Sequence, residues 1–215
     1  MNKIHKKRKF IIPFVSVLLL CSTVVPALAS PNSYGSGYYG ECPYSSNTSN
    51  CDISISNSAF TLNLNITPSL STSCTIQSDQ VSVSTYDPNG YTLNVSDESA
   101  NNNLLNDNGS GSDVPATSAT LSSPQTLIND WGFREDGWQS FGSGPTSSET
   151  NGASSSLLFA KIPPTGTNYE LATTSSGNNN SPLSTTVWYG ICANNNLTIP
   201  NGYYASTLIY TATAN

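Results

Sequence analysis

The sequence predicts an all-β protein: a single antiparallel β-sandwich, Ig-like or jelly-roll-like, of about eight to ten strands joined by long polar loops. Three observations predict it. Apolar residues recur with a period of two in several short segments, the pattern of half-buried strands. Gly, Pro and Asn clusters separate those segments at short spacing, as in sandwiches. No stretch after the first thirty residues repeats its apolar residues at helical spacing, and only 9% of the chain is charged, against about 25% in an average soluble protein. A long-helix protein would be rich in Glu, Lys, Arg, Ala and Leu; here Ser, Thr, Asn and Gly take their place. The 20 aromatic residues and sparse charge also argue against a disordered chain.

The first element is not part of the sandwich. Lys3, Lys6, Lys7, Arg8 and Lys9 hold five of the seven cations and precede an apolar run from Phe10 to Cys21. Small residues follow at Ala27 and Ala29. A basic start, an apolar centre and an A-x-A site describe a secretory signal peptide over residues 1–29, cut after Ala29. The run is short for a bilayer span of about 20 residues, and Pro13 and Pro26 interrupt it. Residues 30–50 (SPNSYGSGYYGECPYSSNTSN) then form a Gly/Ser/Tyr/Asn-rich lead, and residues 51–215 the sandwich domain. The expected location is extracellular and associated with a cell surface, with no membrane insertion after cleavage.

Within the domain, Asp52–Ile66 alternates at Ile53 and Ile55 and again at Phe60, Leu62, Leu64 and Ile66. The phase slips near Asn57–Ala59, which predicts a bulge or break. Gln80–Thr85 and Tyr91–Ser96 alternate on either side of Asp87-Pro88-Asn89-Gly90, a turn sequence that predicts a hairpin. Residues 97–126 read as a long surface loop holding one or two short strands. Trp131-Gly132-Phe133-Arg134 opens an aromatic segment, and residues 142–156 form another polar loop. Leu157–Ile162 and Tyr169–Thr173 read as short strands. Leu183–Ala193 and Tyr203–Ala212 are the clearest strands after the first.

The mature chain keeps four cysteines. Their even number in an oxidising compartment predicts disulfides. Cys42 and Cys51 flank a polar loop and suit a local bridge, leaving Cys74 with Cys192. That longer loop would constrain the unfolded chain by roughly 4–5 kcal/mol in the entropic account. No CxxC occurs and the one histidine, His5, leaves with the leader. No zinc site, other metal site or cofactor is expected.

Charge and chemistry narrow the function. After cleavage two cations, Arg134 and Lys161, face thirteen acids, a formal charge of −11. Such a surface repels phosphate backbones, so nucleic acid is not an expected partner. Without histidine, Ser-His-Asp and Cys-His catalysis are impossible. The remaining catalytic option is a carboxylate pair from Asp130, Glu135 and Asp136 beside Trp131 and Trp138, the ingredients of a glycosidase. The plainer expectation packs Trp131 and Phe133 in the core, pairs Arg134 with a nearby acid, and sets Trp188 beside the Cys74–Cys192 bridge. Trp138, between Gly137 and Gln139, is the aromatic expected at the surface, free to stack on a sugar ring or anchor a protein.

Three segments carry a family resemblance: VSVSTYDPNGYTLNVSD (81–97), LINDWGFREDG (127–137) and IPNGYYASTLIYTATAN (199–215). In this order they resemble the secreted bacterial surface proteins of the WxL-type cell-wall-binding family. Gly90–Val95 matches a G-W-T-L-x-V strand with Tyr91 in the Trp place. Gly202–Ala212 is similar to a G-x-Y-x-A-x-L-x-W-x-L ending with Tyr210 in the Trp place and Ala212 in the Leu place. The resemblance implies a β-rich domain held noncovalently at the wall, with Tyr91 and Tyr210 in the positions of its tryptophans. No Trp-x-Leu occurs in this chain. The expected function is therefore a noncatalytic surface protein that binds cell-wall polymer or a surface glycan or protein. A pilus-like structural subunit assembling by strand addition is the alternative; the lead of residues 30–50 lacks the alternating apolar pattern of a donor strand. A secreted carbohydrase is the third reading.

Overall fold

A computed structural model describes residues 19–23, 53–67, 70–106, 113–135, 140–153, 156–178, 181–197 and 203–215. These contain no helix and twelve strands. In chain order they are β1 (Leu19–Thr23), β2 (Ile53–Asn57), β3 (Thr61–Asn63), β4 (Ser73–Thr85), β5 (Tyr91–Asp97), β6 (Leu105–Asn106), β7 (Asp130–Glu135), β8 (Glu149–Ala153), β9 (Tyr169–Thr173), β10 (Leu183–Ala193), β11 (Tyr204–Ala205) and β12 (Thr207–Ala214).

Two sheets pack face to face. One has the order β3-β1-β12-β5-β9; the other has the order β2-β4-β10-β7, with β8 also paired to β4. β2 pairs with residues 81–85 of β4 and β8 with residues 73–76. Among the described strands every pairing is antiparallel except that of β1 with β12. The all-β sandwich is the architecture the alternation predicts. Val81, Val83, Val187, Tyr189 and Ile191 from one sheet meet Leu62, Leu93, Val95, Leu208 and Tyr210 from the other in the main core. Alternate residues of a strand face one side, so this one core accounts for the period-two signal in all of these strands.

The slip near Asn57–Ala59 is a change of sheet. β2 belongs to one sheet and β3 to the other, and the intervening residues cross between them. Asp79, fully buried on β4, holds the crossing. Its Oδ1 accepts from the Ser58 amide at 3.1 Å, the Ala59 amide at 3.1 Å and the Ser58 hydroxyl at 2.9 Å. Its Oδ2 accepts from Asn57 Nδ2 at 3.2 Å. One buried carboxylate thereby accepts from two successive backbone amides at the crossing, that of Ser58 being shared with the Gln80 carbonyl at 2.9 Å.

The Asp87–Gly90 turn forms as expected, with the Gly90 amide bonded to the Asp87 carbonyl at 3.0 Å and the Asn89 amide to Asp87 Oδ1 at 2.8 Å. Gly90 has φ +85°, a value glycine adopts without cost. The turn does not make a hairpin, however. β4 pairs with β2, β8 and β10, while β5 pairs with β9 and β12. The turn is an arch between the sheets. Alternation shows that each flanking strand has an apolar face, and two such faces can meet across a core as well as lie side by side in one sheet.

A third layer covers the outer face of the second sheet. Cys74, Ile76, Trp188 and Cys192 form a smaller core there with Leu127 and Phe159. Cys74 and Cys192 are register partners on β4 and β10 and form the disulfide, with Cα atoms 4.1 Å apart. Trp188 therefore packs in the same cluster as the bridge. Within the stretch 97–126, expected as a surface loop with one or two short strands, Pro115–Thr117 pair with β7 through Trp131, Thr117 N bonding Trp131 O at 2.8 Å, and next to them Phe133 exchanges two bonds of 2.9 Å with Ala160. These contacts cover the free edge of β7, which would otherwise be open to pairing with another chain. The segment expected as a strand over 157–162 supplies isolated bridges at Phe159 and Ala160.

Candidate functional site

Tyr91 and Tyr210 are core residues. They are 2% and 0% exposed, so neither ring can stack on a ligand, and both expectations of surface contact are corrected to a packing role. Alternation explains it. Tyr91 begins β5 and shares the inward face with Leu93 and Val95; Tyr210 shares that of Leu208 and Ala212 on β12. Trp138 and Asp136, and the Cys42–Cys51 bridge, lie outside the described residues.

Tyr210 has a polar end that the core must accommodate. Its hydroxyl lies 2.5 Å from that of Tyr189 on the opposite sheet. Burial raises both phenols above their ordinary range, and for Tyr210 the neighbouring Tyr189 and Asp79 add to the effect. Asp79, Tyr210 and Tyr189 thus join β4, β12, β10 and the crossing in one buried polar node. A deprotonated phenol there would face the Asp79 carboxylate, so the node holds neutral hydroxyls as donors.

Of the carboxylates considered for glycan cleavage, the two described ones, Asp130 and Glu135, do not converge. Asp130 and Glu135 are five residues apart in β7, whose register with β10 is unbroken. An odd separation in a strand places them on opposite faces, and the rise of about 3.3 Å per residue separates their backbones by about 16 Å. A glycosidase pair needs carboxyl groups about 5–10 Å apart on either side of one bond. Each is also built into the fold. Asp130 Oδ1 accepts from the Ile128 amide at 2.6 Å. Glu135 is 8% exposed, and its carboxylate lies against Tyr169, where burial first and Glu135 second raise the phenol. Trp131, which was to serve as the sugar platform, is 1% exposed and donates its indole N–H to the Asn102 carbonyl at 2.9 Å.

Arg134, the one cation of the aromatic segment, is fully buried. Its guanidinium donates to the carbonyls of Phe141, Gly142 and Leu158 at 3.1, 3.1 and 3.3 Å and stands 5.9 Å from the Phe159 ring centroid. These bonds tie the 140–159 segment onto the outer face of β7, a structural use of its fork geometry. Among the described residues no group of three His, Cys, Asp or Glu side chains is placed to hold a metal ion.

β3 and β12 are joined within their sheet through β1. β1 lies between the other two, with Leu20 opposite Leu62 and Ser22 opposite Leu208. Beside the start of β12 is an open cleft of about 470 Å³ lined by Glu98, Ser99, Leu105, Ser206 and Thr207. The Glu98 amide bonds the Thr207 carbonyl at 2.9 Å at its floor. Below it the buried Asp97 accepts from the Ser206 hydroxyl at 2.7 Å. Phe60, at the crossing into β3, is 73% exposed. Sequence periodicity singled out neither β1 nor this edge, because the apolar run around Leu19–Thr23 carries the signature of an export leader.

No protein-family model matches this chain, and no curated protein matches it.

Proposed function

We propose that this chain is a noncatalytic, exported cell-surface protein that associates with cell-wall polymer or a surface glycan or protein through its β-sandwich. The observation that carries the reading is the placement of Asp130 and Glu135 on opposite faces of β7, which counts against these two as a catalytic couple. The leader-like residues 1–29 support export, and the acidic mature chain disfavours nucleic acid as a partner. The resemblance to WxL-type wall-binding domains points the same way. Its two tryptophan places are occupied here by the buried Tyr91 and Tyr210, so the contact surface lies elsewhere. Trp138, expected at the surface from its Gly137-Trp138-Gln139 setting, is the aromatic to substitute first.

The test is sedimentation of the purified processed protein with isolated bacterial wall sacculi over a range of salt. Saturable pelleting that persists at high salt, and that W138A weakens, is the expected result. Absence of pelleting at every salt concentration would discard the wall as partner.

A second reading, a structural subunit that assembles by strand addition, is favoured by one specific observation: a strand position inside a sheet is held by the leader segment Leu19–Thr23.

A further inference from the structure

An interior position of one sheet is filled by residues that export would remove. β1 lies within residues 1–29, and a cut after Ala29 takes it away. Its neighbours β3 and β12 do not pair with each other; each pairs with β1. Without β1, the backbone groups of Thr61–Asn63 and Thr207–Ile209 that face the gap lose their ladder partners, at a cost if they stay dry. Leu62 and Leu208, the register neighbours of β1 on the two flanking strands, are 7% and 1% exposed. Two facing strand edges above an apolar floor make a groove shaped for one extended chain, the geometry of strand addition.

We propose that in the processed protein this groove accepts an extended strand of a separate polypeptide, parallel to β12 and antiparallel to β3, with an apolar residue against Leu62 and a small one against Leu208. The inference rests on the export reading above. The register sets the chemistry. Leu20 stands opposite Leu62 and Ser22 opposite Leu208, and residues two apart in a strand share a face. The proposed occupant therefore carries an apolar residue at the register position of Leu62 and a small one at that of Leu208, two residues apart on its strand. A slip of one residue would turn that pair to the other face, so the groove selects register as well as composition. The processed chain does not offer such a strand itself. Upstream of β2 it holds only the Gly/Ser/Tyr/Asn-rich stretch 30–52, which lacks alternating apolar residues. The other segments with strong alternation, β2, β4, β5, β10 and β12, already have places in the sheets.

The probe is a synthetic peptide of residues 17–25 with Cys21 replaced by serine and lysines added at both ends for solubility. The protein is the processed chain recovered after export, its intact mass measured first. Expected are a mass lacking residues 1–29, saturable one-to-one binding of the peptide, and a rise in Tm of about 5 °C at saturation. The L20D form of the peptide should bind at least about tenfold more weakly, since it sets a charge against Leu62. Leaving the protein unsubstituted avoids variants that fail to fold.

Three outcomes would overturn the proposal. A leader-free mass with no peptide binding would show that the edge closes on itself. A mass that retains residues 1–29 would make β1 a resident strand and remove the export premise. Multimers of the processed chain that the peptide disperses would place the donor in a second copy rather than in a separate polypeptide. Wall sedimentation reads a different surface, so failure here leaves that result standing.

Discussion

Asp97 ends β5 with its carboxyl group buried, accepting from the Ser206 hydroxyl and the Ser99 amide, each at 2.7 Å. Burial raises its pKa above the ordinary 3.8, and those hydrogen bonds only partly offset the rise. A carboxyl whose folded pKa exceeds its unfolded one binds its proton more tightly in the native state. Its contribution to stability is fully present below about pH 3.8 and is lost as pH rises through the folded value. Asp97→Asn cannot titrate. The wild-type Tm minus the D97N Tm should therefore fall as pH is raised from about 4 to 7. A difference that stays flat across that range would mean Asp97 titrates alike in both states. Asp130 is raised by burial as well, but it is present in both proteins and cancels in the difference.

At the scale of elements, β7 shows how closely the third layer is fitted. A Cβ at Gly132 would stand 2.7 Å from the Ala160 carbonyl oxygen, a backbone atom that cannot rotate away. Ala160 is held in turn by its two bonds to Phe133. Gly132→Ala should thus lower stability by about 2–3 kcal/mol in urea unfolding. It should also increase amide exchange over residues 157–162, because the cover must lift from β7 to admit the methyl group. A loss below about 0.5 kcal/mol would show that the cover does not pack as described. The same edge explains why residues 113–126 read as loop and why 157–162, which reads as a short strand, supplies only isolated bridges. Their bonds to β7 are single bridges rather than ladders, so neither segment lines a sheet as a full strand.

For the molecule as a whole, the Cys74–Cys192 bridge joins strands 118 residues apart in sequence. A closure of that length constrains the unfolded chain by about 4–5 kcal/mol in the entropic account. The double substitution C74A/C192A should lower Tm by about 10 °C for a chain of this size. Thiol reductant should shift the wild type by a similar amount and leave the variant unmoved. A variant that melts with the wild type would assign the stability to the two cores alone. The bridge sits between β4 and β10, the longest strands of their sheet, so it staples elements already paired and adds little new geometry.

Period-two alternation was legible as the all-β class, and it located β9 and β10 at their observed bounds. It worked because each of these strands turns apolar residues to a core and polar ones away from it. β4 begins seven residues before the predicted Gln80, because Asp79 and the polar residues near it serve the crossing and interrupt the pattern. β8 (ETNGA) was read as loop because its described side chains are largely exposed and it has no apolar face to betray it. The Cys74–Cys192 pairing followed from cysteine count and spacing, which topology then satisfied by setting the two residues in register. Tyr91 and Tyr210 were misplaced for a different reason. A strand sequence tells which residues share a face, but not whether that face looks to solvent or to a second sheet. Only the packing of one sheet on the other decided that both tyrosines are buried and that the Asp87–Gly90 turn is an arch. Strand pairing is a long-range choice among edges of similar local character. For the same reason the place of Leu19–Thr23 between β3 and β12 emerges only when both of those edges are in view.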